Sequence, residues 1–274
     1  MKKSIFFVLI LLSFSWAYAQ EADSTKTLSV DEIAKQMSNP TLPMFNFAMF
    51  YEYQSMTGSM ADADGQSVNM FALQPPLPFP FKNGKNLLVR PLFPILFSQP
   101  VIGENGFESA GGAHLGDMAM DVLYAGTNAN GIMKGVGLIG NVPLSTSSDI
   151  RGEWAVGPSL LLGAIKPFGV FVLVLNQSFD ISGENKTSRL GGQYVIALSL
   201  KGGWQLVSSP PFSYNWDTES LTLPVGGGPF RTVMMGKIPL KVGVQAYYFA
   251  SQSDAFGPDW SIRLSITPSL RRPW

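Results

Sequence analysis

His114 is the single histidine of this chain, in the stretch SAGGAHLGD, with Ser109 nearby in sequence. A serine and a histidine can hydrolyse an ester when the two are within hydrogen-bond reach and a third group orients the imidazole. Such a pair would make the chain a hydrolase of esters or lipids. No G-x-S-x-G elbow accompanies this histidine, so a loop or rim histidine is the plainer reading, and no catalytic residue is assigned. The run PVGGGPF (224–230) is glycine-rich but lacks the Lys-Ser/Thr that completes a phosphate loop, and glycines in a strand pattern let it bend or pack closely. DADG (62–65) resembles a fragment of a calcium loop without the remaining ligand positions, and reads as a polar loop tip. With no cysteine, neither thiol chemistry nor disulfide staples are available. No metal or cofactor is expected.

The remaining chemistry is charge on strand faces. Arg90, Asp117, Asp121, Glu153, Arg231 and Arg263, together with Gln245, fall opposite apolar side chains in segments with strand periodicity. Charged rings inside a pore set selectivity by electrostatics. The same residues could instead form a salt-bridged network that fills a narrow lumen and holds its shape. Both readings stay open from sequence, and these seven positions are the pore-lining candidates.

The elements that carry them are strands. In WSIRLSITPSL (260–270), Trp260, Ile262, Leu264, Ile266, Pro268 and Leu270 alternate with Ser261, Arg263, Ser265, Thr267 and Ser269. Successive strand side chains point to opposite faces, so one face is apolar and the other polar. Twelve such segments follow Pro43, near 43–55, 67–77, 86–99, 115–126, 134–144, 153–164, 169–180, 192–201, 204–214, 221–233, 238–250 and 258–271. Their length suits a tilted transmembrane strand better than the roughly 5–6 residues of a soluble one. Tight turns (NANG, KPFG, KGG, MGK) alternate with longer polar loops such as STSSDIRG and SQSDAFGP, the pattern of an outer-membrane barrel. Two segments carry Pro-Pro pairs and should be bent or shortened there; the fifth, KGVGLIGNVPL, should be weakly registered.

Composition agrees. Charged residues are 14% and apolar ones 46%, against about 25% charged in ordinary soluble domains. Lys+Arg and Asp+Glu balance at 19 each, which leaves no basic field for nucleic acid. Residues 1–19 read as a signal peptide: Lys2 and Lys3, an apolar stretch to Trp16, and Ala17-Tyr18-Ala19 before the cut. Residues 20–42 form an N-terminal segment on the periplasmic side with one short helix, where Ser29 and Glu32 make a capping box and Pro40 follows the end. So short a helix docks or frays, with a plug in the lumen as the sharper alternative. Residues 43–274 form the barrel. The expected fold is therefore all-β, a transmembrane antiparallel β-barrel of about twelve strands.

EIAKQMSNP (32–40), LGDMAMDVLY (115–124), WAVGPSLLL (154–162), YNWDTESLTLPVGGGPFRTV (214–233), GKIPLKVGVQAYYFA (236–250) and GPDWSIRL (257–264) run through the chain in that order. Together they resemble a bacterial outer-membrane transporter family named for the meta-cleavage pathway of phenol degradation, some of whose members carry a neuromedin-like label. The resemblance implies an outer-membrane barrel moving small hydrophobic or aromatic compounds, with no catalytic residues to carry over. The ending SLRRPW departs from a common membrane-strand ending, although Trp274 supplies the terminal aromatic that barrel-assembly machinery favours. The expected partners are outer-membrane lipid, that machinery and a small-molecule solute. The expected role is passive uptake or efflux; a closed structural or surface-interaction barrel is the alternative.

Overall fold

The computed structural model describes residues 28–103, 106–109, 112–183 and 186–272. The expected leader and Trp274 lie outside the described residues. After helix α1 (Val30–Met37), strands β1 (Phe45–Asn46) and β2 (Ala48–Thr57) make the first stave of a barrel. The second is β3 (Ser67–Gln74) with β4 (Leu77–Pro80), and the third is β5 (Asn86–Ser98). β6 (Pro100–Gly103) and β7 (Gly106–Ser109) form a separate hairpin, and β8 (His114–Leu115) with β9 (Met118–Thr127) makes the fourth stave. β10 (Ile132–Val142), β11 (Ala155–Lys166), β12 (Gly169–Asp180) and β13 (Ser188–Ser199) follow singly. The ninth stave is β14 (Trp204–Ser208) with β15 (Pro211–Asn215); β16 (Ser220–Met235), β17 (Ile238–Ser251) and β18 (Gly257–Leu270) complete the set. Neighbouring staves are antiparallel, and β18 pairs with β2, so the twelve staves close on themselves.

Closure satisfies the backbone and leaves two faces to the side chains. On β18, Trp260, Ile262, Leu264 and Ile266 are 39–53% exposed, whereas Ser261 and Arg263 between them are 1% and 7% exposed. Val136, Leu138, Leu160, Leu162, Leu206, Val242 and Val244 extend the same outer band around the wall. A soluble sandwich would bury this face; here it is the outside, as a lipid solvent requires. Exposed Trp154, Trp216, Tyr248 and Trp260 ring the long-loop end, and Phe81, Phe168 and Trp204 the short-turn end. These are the two interfacial girdles.

The proline pairs act as expected. Pro75 and Pro76 separate β3 from β4, and Pro210 follows Ser209 in the break between β14 and β15. A proline has no N–H for the ladder, so each stave is interrupted and resumes beyond. The fifth stave departs from expectation. β10 is paired without slippage to β9 and to β11 along most of its length. A Cβ on Gly137 would stand 1.9 Å from the Val122 carbonyl oxygen, so glycine here allows close strand approach and helps to fix the register. In β16, Gly226 and Gly227 have φ of 152° and 155°, next to the register shift at Leu223/Pro224. The glycine run is thus a bend within a strand, not a phosphate cradle. The β6–β7 hairpin had no forewarning in the sequence; it rests Phe107 on Phe256, ring centroids 4.5 Å apart.

An arginine at Leu264, on the lipid face at mid-strand, should destabilise the barrel by about 2–4 kcal/mol in denaturant unfolding from vesicles. Ser253→Arg, in a long loop, should change stability by no more than about 0.5 kcal/mol.

Candidate lumenal site

Inside the barrel the two arcs differ. Leu88, Leu123, Met133, Leu161, Val170, Val172, Val174, Ala197, Val207 and Phe230 form one packed apolar cluster on β5, β9–β14 and β16. The facing arc, on β2, β17 and β18, is polar: Glu52, Lys241, Gln245, Ser261 and Arg263 are all buried. Between them lies a cavity of about 410 Å³ bordered by both arcs, by residues 37–40 and by Leu42. A second cavity of about 200 Å³ shares Met70, Pro211 and Arg263 with the first and extends towards the long-loop end.

The division between the two is a charged layer. Arg263 Nε and Nη2 donate to Glu52 Oε2 at 2.9 and 2.6 Å, and Gln54 Nε2 donates to Oε1 at 3.2 Å. The guanidinium also stacks over Phe50 and Tyr247, with centroid distances of 4.5 and 5.6 Å. Glu52 and Arg263 are register partners on neighbouring staves, so strand pairing itself sets their geometry. The broken ninth stave supplies the rest of this layer. Ser209 O accepts from Gln193 Nε2 at 2.9 Å, Ser209 Oγ from Gln245 Nε2 at 3.1 Å, and Ser209 N donates to the Tyr247 hydroxyl at 3.1 Å. Backbone groups released by the proline break are thus satisfied by lumenal side chains. Arg90 Nη2, on β5, donates to Gln193 Oε1 on β13 at 3.0 Å, a bond that crosses the lumen.

The short-turn mouth is occupied by the segment ahead of β1. Ser29 and Glu32 form the expected capping box, with Ser29 N to Glu32 Oε2 at 2.8 Å and Glu32 N to Ser29 Oγ at 3.3 Å. Ala34 and Met37 are buried, and α1 packs against β13, β14 and β16. Gly203 N donates to Asp31 Oδ1 at 2.5 Å, and Lys35 Nζ approaches Pro167 O at 3.5 Å. Both partners lie in short turns, which fixes the end of the barrel the helix meets. Further along, Lys241 Nζ donates to Ser38 Oγ at 2.8 Å, Asn86 Nδ2 to Thr41 O at 2.6 Å, and Thr41 meets Thr127 hydroxyl to hydroxyl at 2.5 Å.

Four of the seven expected positions come together here: Arg90, Asp121, Gln245 and Arg263 all border the larger cavity. Asp121 is the register partner of Arg90 and accepts from Ser159 Oγ at 3.4 Å. The other three differ from the lumenal assignment. Arg231 points outward, because Phe230 and Thr232 on either side of it turn in; its guanidinium lies 5.3 Å from the Trp204 ring centroid, at the short-turn girdle. Asp117 lies at the rim between β8 and β9, where it accepts from Ser145 N at 3.0 Å and Gly152 N at 2.6 Å and tethers the loop between β10 and β11. Glu153 precedes β11 and is exposed, accepting from Ser182 Oγ at 2.5 Å. Glu52 and Lys241 were missed, although Lys241 shares the inward parity of Gln245 and Glu52 is the lone acid in AMFYEYQSMT. His114 Nδ1 lies 3.4 Å from Thr146 Oγ1 at the rim; the side chain of Ser109 is outside the described residues.

No family model matches the chain, and no curated protein matches it in sequence. Among solved structures it is similar to a COG4313 outer membrane channel from Pseudomonas putida F1, with a TM-score of 0.61 and 12% identity over 84% of this chain and 97% of that one. The β domain of the Bordetella autotransporter BrkA gives 0.43 at 12% identity, over 82% of this chain and 100% of that domain. LpxR from Salmonella typhimurium gives 0.37 at 7% identity, over 80% and 99% of the two chains. The last two likenesses are too loose to bear on function. At such identities the first concerns the fold, a closed antiparallel barrel of the outer-membrane kind.

Replacing Arg263 by Met would strand the Glu52 carboxylate, itself 2% exposed, and should cost about 3–5 kcal/mol in denaturant unfolding. The double variant Glu52→Gln, Arg263→Met should recover most of that loss.

Proposed function

We propose that this chain is an outer-membrane barrel that passes small, largely apolar solutes passively, through a lumen stoppered at its periplasmic end by residues 29–44. The observation that carries the reading is the cavity of about 410 Å³, whose walls combine a continuous apolar arc with a few fixed charges and whose floor is the N-terminal segment. That segment is held by side-chain bonds, among them Lys241–Ser38 and Asn86–Thr41, and by the packing of Ala34 and Met37, and not by a β-ladder. Such bonds are individually worth about 1–3 kcal/mol net, which suits a stopper that can be displaced without opening the wall. Arg90, Asp121 and Arg263 would set ion preference along the path, and the long loops would guard the outer mouth. Bacterial outer-membrane residence and export through the 1–19 leader complete the proposal, in line with the resemblance to the phenol meta-pathway transporters.

A second reading, a closed structural or surface-interaction barrel, has one observation in its favour. Leu123, Met133, Leu161 and Val170 are 0% exposed inside the wall, so much of that arc is solid packing. Single-channel conductance of refolded residues 20–274 in planar bilayers separates the two, once a boiled-against-unboiled gel shift has shown a folded barrel. The full chain should conduct in small or intermittent steps. Deletion of residues 20–40 should raise conductance severalfold, and Asp121→Asn, or Glu52→Gln with Arg263→Met, in that background should shift ion preference. Silence from both folded forms would replace the channel by the closed barrel.

A further inference from the structure

Among the charges of the lumen, Lys241 has the least complete surroundings. It is 8% exposed and borders the larger cavity from β17. Its ammonium has three protons to donate. One goes to Ser38 Oγ at 2.8 Å, and the group also lies 5.3 Å from the centroid of the Phe230 ring. No carboxylate stands within 4.0 Å of it among the described residues, where the ion pairs are Arg263–Glu52 and Arg189–Asp180. The other cavity cations are better matched: Arg263 has Glu52, and Arg90 has Gln193 with Asp121 opposite it in the ladder. A buried amine with donors to spare is held in its charged form by an anion, which supplies the counter-charge that the surrounding residues do not.

The apolar arc adjoins that ammonium. Phe230, beneath Lys241, belongs to the same packed cluster as Val207, Ala197, Val174 and Val172, and all five border the cavity. We propose that the cavity binds a small amphipathic monoanion, a carboxylate with a short apolar body, with its charged end on Lys241 and its body along that arc. This names the solute class for the proposed channel and rests on that reading. The volume of about 410 Å³ lies within the usual range for small-ligand pockets and admits a six-carbon chain. A neutral solute would supply no counter-charge, and a cation would be repelled at the Lys241 end of the cavity, away from Asp121 on the facing wall.

The test is calorimetric titration of the mature chain in lipid nanodiscs with hexanoate, against hexanol, hexylammonium and acetate, with empty nanodiscs as the partition control. Hexanoate should bind saturably, acetate and hexanol at least about tenfold more weakly, and hexylammonium not at all. Lys241→Met should weaken hexanoate at least about tenfold, and Lys241→Arg should retain most of the affinity. Hexylammonium binding as well as hexanoate, heat equal to that of empty discs, or an unchanged affinity in a folded Lys241→Met barrel would each overturn the proposal. If that variant fails the gel-shift check, the ligand series on the native chain still decides. Absent binding with intact conductance would remove the anion site and leave the channel, whereas saturable binding without conductance would remove the channel and leave the site.

Discussion

The pairing of β18 with β2 is the contact on which everything else depends. Each backbone N–H and C=O facing lipid must find a partner within the protein, and a sheet can do that only without edges. Residues Gly257–Ile266 ladder onto Met49–Thr57 and remove both edges at once. Once the wall is closed, side-chain alternation is no longer a preference but a partition. Ile262 and Leu264 must tolerate hydrocarbon, while Ser261 and Arg263 must be satisfied within a confined interior.

That confinement explains the form of the polar interior. Arg263 is acceptable because closure places Glu52 directly opposite it and aromatic rings above it. Ser209 is acceptable because Gln193, Gln245 and Tyr247 reach the backbone and hydroxyl groups that the following prolines leave off the ladder. The interior is therefore divided at mid-height by hydrogen-bonded groups contributed from β2, β5, β13, β17, β18 and the junction of β14 with β15, and a solute would have to pass beside them. On the opposite arc, Leu123 and Leu161 fill the space between staves as in any protein core.

What could be read from the sequence was whatever depends on alternation alone. The twelve staves, the sorting of turns and loops, the capping box at Ser29 and the proline breaks follow from local chemistry, and each has its counterpart in the structure. Partnerships across the barrel were not legible. Glu52 and Arg263 lie near opposite ends of the chain, and Arg90 meets Gln193 only because their staves face one another over the lumen. Arg231 shows the limit of alternation itself: with glycines and prolines on either side its face is ambiguous in the sequence, and the inward turn of Phe230 and Thr232 decides it. Gly137 misled for a related reason, since a residue without a side chain looks permissive in sequence while in the wall it lets two backbones meet.

The position of α1 bears on the order of assembly. The segment it belongs to leads directly into β1 and β2, and β2 is the strand that β18 must find to close the wall. Closure thus waits for a contact between the two ends of the barrel sequence, the slowest kind of loop to form. Before that contact forms no closed wall surrounds residues 29–44, so they can take their place without being threaded through a pore.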